Sequence, residues 1–399
     1  MNQGNHLLQS VNLNSMFTQL SVTRHSQEDL ERKLFRRKEI NRIGPEFIIT
    51  EVRMRFFAPI ALTIFIFGCQ ETDVVDDDSD LTWTIDTQFM RQGCYDGKDC
   101  IPSLETPNRS QVGGSNLGYL DDNDLVVGIW NGTEHVAYPH AILDWHEIVN
   151  ESGYSISYCP LTGSAIHLTT SVEYGVSGLL FNSNLIMYDR ETDSYWPQML
   201  LRSAAGDRSG SIFHLKNLVE TTWSNWKTLF PETKVVNSET NYSRNYTRYP
   251  YGSYRTCNSL ACGDYIYFPV ANEDERLPAK NRVLTIINGD EVKAIDINSY
   301  PEPQIFGVNV GNAQYQVVIS GRDNIAVAFE TSRAISISSW DISAGEITLN
   351  QADTENEWDI TGQLIANPVP AERLVAANAY IAYWFSVAAF YPDVELISP

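Results

Sequence analysis

Apolar residues along this chain cluster in short runs rather than at helical spacing. The runs 125–129, 283–287 and 325–329 are rich in valine, isoleucine and leucine, and each has the length of one strand. Two alternating stretches, Ser155-Ile156-Ser157-Tyr158-Cys159 and Ser164-Ala165-Ile166-His167-Leu168, flank the turn-forming Pro160-Leu161-Thr162-Gly163, a pattern that predicts a β-hairpin. In that register Cys159 faces Ser164 on one side of the sheet, and Tyr158 and His167 project to the other. Helices are expected only at 141–150, 221–229 and 379–390, each short and each carrying a tryptophan.

The same pattern recurs along the chain. Val127 with Asn131-Gly132 and Ala137 returns as Val283 with Asn288-Gly289 and Ala294; Tyr154 with Ala165 and Leu168 returns as Tyr315 with Ala326 and Phe329. Thr192 with Trp196 matches Thr354 with Trp358, and Trp223 before Phe230-Pro231 matches Trp384 before Tyr391-Pro392. Collinear landmarks at a nearly constant offset indicate an internal duplication. The expected fold is therefore a β-rich α+β class, made of two tandem related β-rich halves, 86–275 and 276–399. The second half has no counterpart to Cys159.

Composition changes the picture in two ways. With 399 residues, 43% hydrophobic and 20% charged, the chain is long and apolar enough for a large packed core, not a disordered polymer. The net charge of -22 excludes the basic stripe that nucleic-acid binding requires, since an acidic domain repels a phosphate backbone. Residues 1–55 run against this trend, with nine of the 28 basic residues and six of the 50 acidic ones.

The apolar run from Phe56 to Phe67, preceded by Met54-Arg55 and followed by Gly68-Cys69-Gln70, has the form of a lipoprotein-type signal peptide. It is too short for a membrane-spanning helix. On this reading residues 1–53 are an over-extended gene start without function, 54–68 are the signal, and Cys69 is lipidated. Residues 69–85, with Val75-Asp76-Asp77-Asp78-Ser79-Asp80, form an acidic tether. The expected location is the periplasm or cell envelope, anchored through Cys69 to the outer membrane, the membrane being the one partner this reading supplies.

Export places six cysteines in an oxidising compartment, where thiols tend to pair. With Cys69 lipidated, Cys94 and Cys100 are spaced to close one small loop and Cys257 and Cys262 another, although cross-pairings among these four are equally allowed. Every such pairing leaves Cys159 alone.

The segments His146-Glu147-Ile148-Val149-Asn150, Tyr158-Cys159-Pro160-Leu161-Thr162-Gly163-Ser164, Ser177-Gly178-Leu179-Leu180, Tyr188-Asp189-Arg190-Glu191-Thr192 with Ser194 and Trp196, and Thr222-Trp223 with Trp226 resemble the bacterial family called domain of unknown function 3179. The resemblance runs from about residue 90 to the C-terminus. In that family the cysteine motif often reads Cys-Pro-Leu-Cys, and some members carry selenocysteine within it. The resemblance thus implies redox chemistry at Cys159, because a selenol serves nucleophilic chemistry better than packing. This chain has Thr162 where the second cysteine would stand, which argues against a simple dithiol oxidoreductase.

The residues themselves suggest three readings. In the first, Cys159 is a redox nucleophile, Thr162 and the turn amides hold the thiolate, and His146 with Glu147 handles the proton. In the second, Cys159 and His146 bind or deliver a metal such as copper, zinc or iron. In the third, the duplicated fold is a non-catalytic envelope scaffold and the cysteine only packs. The sequence leaves the cofactor unknown. His135, His140 and His214 are weaker partners, and the acidic turn of Asp189, Glu191 and Asp193 reads as a solvated rim. No Gly-x-Ser-x-Gly elbow supports a serine hydrolase, and Trp196, Trp223, Trp226, Trp358 and Trp384 fit core packing.

Overall fold

The computed structural model describes residues 81–255, 265–351, 354–366 and 373–399. The expected signal at 54–68, Cys69, most of the tether, and Cys257 and Cys262 lie outside the described residues.

The chain opens with short strands β1 (Met90–Gln92), β2 (Leu104–Glu105) and β3 (Arg109–Gln111). Then come β4 (Leu125–Trp130), β5 (His135–Pro139), helix α1 (His140–His146) and β6 (Ile148–Glu151). The hairpin β7 (Tyr154–Cys159) and β8 (Ser164–Thr169) leads to β9 (Tyr174–Phe181), β10 (Asn184–Asp189) and β11 (Tyr195–Pro197). A return through β12 (Val219–Thr222), α2 (Trp223–Leu229) and β13 (Lys234–Val236) closes this stretch. The second stretch runs β14 (Arg282–Asn288), β15 (Glu291–Asp296), β16 (Gln304–Val310), β17 (Ala313–Ser320) and β18 (Ile325–Glu330). It ends with β19 (Ile335–Asp341), β20 (Glu346–Gln351), β21 (Glu357–Trp358), β22 (Leu364–Ala366), β23 (Ala379–Tyr383), α3 (Trp384–Phe390) and β24 (Glu395–Ile397).

Six small sheets result among the described residues, so the fold is β-rich with few helices. Their strand orders are β12-β4-β5-β13-β3, β2-β6-β7-β8 and β1-β9-β10-β11, then β23-β14-β15-β24, β16-β17-β18 and β19-β20-β21-β22. In the first and fourth sheets the strand after the helix pairs in parallel with the second strand of the opening hairpin: β13 on β5, and β24 on β15.

Two apolar cores draw on both stretches. One gathers Val127, Tyr138, Tyr158 and Trp226 with Phe329, Leu349 and Trp358. The other gathers Cys159, Ile166, Leu185 and Trp196 with Val283, Tyr380 and Trp384. The hairpin β7–β8 separates them: Tyr158 enters the first core and Cys159 the second, as its alternation requires. Close packing fixes Gly128 on β4, where an added methyl would lie 2.2 Å from the Trp226 ring.

All three helices are shorter than their sequence pattern suggests. Residues 141–150 do not form one helix, because Glu147 takes a left-handed backbone (φ 56°) that ends α1, and the β-branched Ile148-Val149 starts β6. The 221–229 pattern starts its helix only at Trp223, since Thr222 is an N-cap whose side chain accepts from Asn225 N–H. In 379–390 the alternating residues Ala379 to Tyr383 pair with β14, and only Trp384 onward is helical.

Candidate functional site

The hairpin tip holds the candidate cysteine. Cys159 and Ser164 are cross-strand partners, and Gly163 takes φ 60°, a left-handed conformation that the Pro160–Gly163 turn needs. Cys159 is 1% exposed, and its sulfur lies 3.9 Å from the Ser183 carbonyl oxygen.

Beneath the tip lies a buried polar network. Asn184 donates to the Thr162 hydroxyl at 2.9 Å and to Gln198 Oε1 at 3.0 Å, while Ser164 donates to the same Gln198 oxygen at 2.5 Å. Gln198 Nε2 donates in turn to Ser157 Oγ and to the Ser164 carbonyl, and Met199 N–H donates to Asn184 Oδ1 at 3.0 Å. The Thr162 hydroxyl also lies 2.8 Å from Ser164 Oγ. Satisfied polar groups in a dry site fix its geometry.

Burial pushes the Cys159 thiol up to about 11, and the Glu147 carboxylate adds to the rise. Three hydrogen bonds work the other way, from the Thr162 hydroxyl and from the backbone N–H groups of Leu185 and Thr162. Of the turn amides, that of Thr162 faces the sulfur, and burial outweighs it. The resting form is a thiol.

Glu147 is buried at the end of α1, and its carbonyl accepts from Tyr158 N–H at 2.7 Å. Burial raises its carboxyl to about 7, opposed by the Tyr251 hydroxyl, which donates to Oε1 at 2.6 Å, and reinforced by Asp144. Asp144 is itself raised to about 7 by burial, although Arg255 pairs with it at 3.0 Å. Glu147 and Tyr251 line a cavity of about 290 Å³. Its walls are mainly aliphatic, including Leu161, Val176, Leu180 and Leu185, with Cys94 and Tyr267 on its border.

The structure brings Cys159, Glu147 and Thr162 together and places His146 elsewhere. His146 Nδ1 lies 2.8 Å from the Pro102 carbonyl, so it carries the proton and donates; Nε2 accepts from the Tyr246 hydroxyl at 2.7 Å. Neither ring nitrogen is free to serve as base or metal ligand, and burial lowers its pKa to about 4. The expected Cys159–His146 pairing has no geometric basis. Residues adjacent in sequence part here because the left-handed turn at Glu147 sends the two side chains into different surroundings.

Of the other described histidines, His135 and His140 are also engaged. His135 stacks on Phe230 and lies 3.1 Å from Asp359; His140 lies buried 3.0 Å from Glu220, which also pairs with Arg282; His214 is exposed. Among the described residues no group of three or more His, Cys, Asp or Glu side chains is placed to hold a metal ion. Nor does any described helix have the length and apolarity to cross a membrane.

Asp189 is not part of a solvated rim. It is fully buried and accepts from Thr192 N–H, the Thr192 hydroxyl and Trp196 Nε1–H, so it closes its own turn. Glu191 and Asp193 do pair at the surface, with Arg208 and Lys98. Cys94 and Cys100 are joined in a disulfide, and Cys159 is a free thiol. Sequence reading missed Asn184, Gln198 and Tyr251. Asn184 opens β10 and Gln198 opens a 3-10 turn just after β11, each beside buried apolar residues, the one signal that marked them.

Over residues 98–394 the chain matches the DUF3179 family, described as protein of unknown function, and it belongs to that family. No curated protein and no solved structure matches it.

Proposed function

We propose that this DUF3179 protein is an exported, lipid-anchored envelope protein that exchanges thiols at Cys159, with Glu147 as the group that takes and returns the proton. The observation that carries the reading is the coupling of the two: a buried carboxyl near 7 beside a buried thiol near 11. Such a pair holds one negative charge over the intervening pH range. When Glu147 accepts the thiol proton, its own repulsion of the thiolate vanishes, and the Thr162 and Leu185 donors face the sulfur anion.

The thiolate then attacks one sulfur of a disulfide substrate. A Cys159–sulfur bond forms, the substrate S–S bond breaks, and the leaving thiolate takes the proton from Glu147. Because Thr162 stands in place of a second thiol, a thiol from solution resolves the mixed disulfide and leaves as a new disulfide, restoring the Cys159 thiol. The exchange consumes no net oxidant.

The test is iodoacetamide alkylation of Cys159 between pH 6 and 9 in the wild type and in Glu147→Gln. A general-base role predicts a rate roughly tenfold lower in the variant near pH 7.5. An unchanged or faster rate would mean that Glu147 is only a repelling charge, and the reading would fail.

A non-catalytic scaffold is the second reading, favoured by the burial of the thiol. Metal delivery by Cys159 and His146 draws little support, since both imidazole nitrogens are taken. Export is supported by the signal-like run at 54–68 and by the Cys94–Cys100 disulfide, which suits an oxidising compartment. Loss of radiolabelled palmitate incorporation in Cys69→Ala is the expected result, and retained labelling would remove the anchor.

We also infer that the chain arose by internal duplication. The matching strand orders support it, as do the Asn-Gly turns after β4 and β14 and the tryptophans that open α2 and α3. Superposing β4, β5, β12 and β13 on β14, β15, β23 and β24 tests this; offsets beyond the roughly 4.8 Å strand spacing would count against it.

A further inference from the structure

We propose that the cavity over Glu147 binds a small, mostly apolar molecule that carries a single hydrogen-bond-donating head, a primary amine or a hydroxyl, seated on the Glu147 carboxyl. This adds a ligand at Glu147, the proton-handling residue of the reading above, and binding itself does not require a reactive thiol.

The shape and lining of the space support the inference. Its volume of about 290 Å³ is at the lower end of ligand pockets, large enough for a chain of several carbons with a head group. The apolar walls come from separate elements: Val176 and Leu180 from β9, Leu185 from β10, Leu161 from the cysteine hairpin. Aliphatic walls give no reason to hold water, so an apolar occupant gains by entering. Glu147 and Tyr251 give the lining a hydrogen-bonded polar pair. Tyr251 occupies Glu147 Oε1, and no described residue hydrogen-bonds to Oε2, which leaves one acceptor for an incoming head group. A carboxyl with only one partner in an apolar space is costly, and a donor on the ligand removes that cost. The net charge of -22 also draws cations toward the protein and opposes carboxylate ligands.

The two head groups separate by pH. The groups facing Glu147 are Tyr251, Asp144 and Cys159, and none of them supplies a cation to it directly. An ammonium therefore binds the ionised form of Glu147 and displaces its proton. A hydroxyl binds without that requirement.

The experiment is calorimetric titration of the purified protein with n-hexylamine, n-hexanol and hexanoate at pH 6 and pH 8. The expected result is saturable binding of the amine or the alcohol and none of hexanoate. An amine site shows tighter binding at pH 8, by about tenfold, and an alcohol site shows no such gain. Val176→Phe, which fills the cavity, is expected to weaken the bound probe at least tenfold. Leu180→Phe takes its place if that variant does not fold. Absence of saturable binding by both probes overturns the inference, as does binding that survives the filled cavity. Saturable binding beside a failed alkylation test removes only the thiol-exchange reading; absence of binding with a normal alkylation result removes only this one.

Discussion

Tyr383 donates its backbone N–H to the Thr162 carbonyl at 2.7 Å, so the last residue of β23 is tied to the tip of the hairpin that carries Cys159. The Tyr383 ring also lies over Gly163, where an added methyl would sit 2.9 Å from it. Residues more than 200 positions apart thus fix the same turn.

Gly163→Ala tests that clamp. The substitution adds a methyl group at φ 60° and presses it on the ring, so it is expected to destabilise the protein by about 2 kcal/mol. Chemical denaturation measures the loss, and a neutral result would show that the ring yields freely.

Glu147→Gln is expected to change stability with pH in a defined direction. The folded carboxyl titrates near 7, above its ordinary 4.5, so between these values the native state holds a proton that the unfolded state has lost. Stability therefore falls as pH rises through this window, by about 3 kcal/mol at most. With part of that offset by the weakened Tyr251 bond, the variant is expected to be about 2 kcal/mol more stable than wild type at pH 8 and no more stable at pH 4. Melts at both pH values decide it.

His146 predicts the opposite slope. Its folded pKa is near 4, below its ordinary 6.5, so its contribution is complete above 6.5 and is lost as pH falls toward 4. His146→Gln keeps a donor for Pro102 and an acceptor for Tyr246 but cannot titrate. Relative to wild type, it is expected to gain about 2 kcal/mol between pH 8 and pH 5. A pH-independent difference would show that burial does not hold the imidazole neutral.

Thr162→Val removes the hydroxyl that joins the cysteine to the Ser164–Asn184–Gln198 network while keeping nearly the same volume. The Asn184 donor loses one acceptor, at an expected cost of about 1–3 kcal/mol. The thiol also loses a donor that favours its anion, so the alkylation profile is expected to move to higher pH. Stability loss without that move would confine Thr162 to a structural role.

Much of this site was legible in the sequence, for local reasons. The period-two alternation around Pro160–Gly163 set the hairpin register and put Cys159 and Tyr158 on opposite faces, and the structure has that register. Strands at 125–130, 282–288 and 325–330 likewise follow their apolar runs. What remained hidden depended on distant chain. His146 looked like the partner because it precedes Glu147, and one left-handed residue undid that inference. Tyr251 reaches Glu147 across 104 positions, and no local pattern announces such a contact. Helix ends were misplaced where pairing with a distant strand, as between Ala379–Tyr383 and β14, overrides local propensity.

The sharing of each core by both stretches sets an order of events during synthesis. The strand and helix that share the core of Cys159, β23 and α3, are made more than 200 residues after it. Until they arrive, the core that holds the thiol lacks Tyr380, Tyr383 and Trp384, and oxidants and thiols around the emerging chain have a more open path to it. Full protection of this cysteine is therefore expected of the finished molecule. Pulse labelling of Cys159 in chains halted before residue 379, compared with released chains, reads that order directly; equal protection in both would show that the earlier strands suffice.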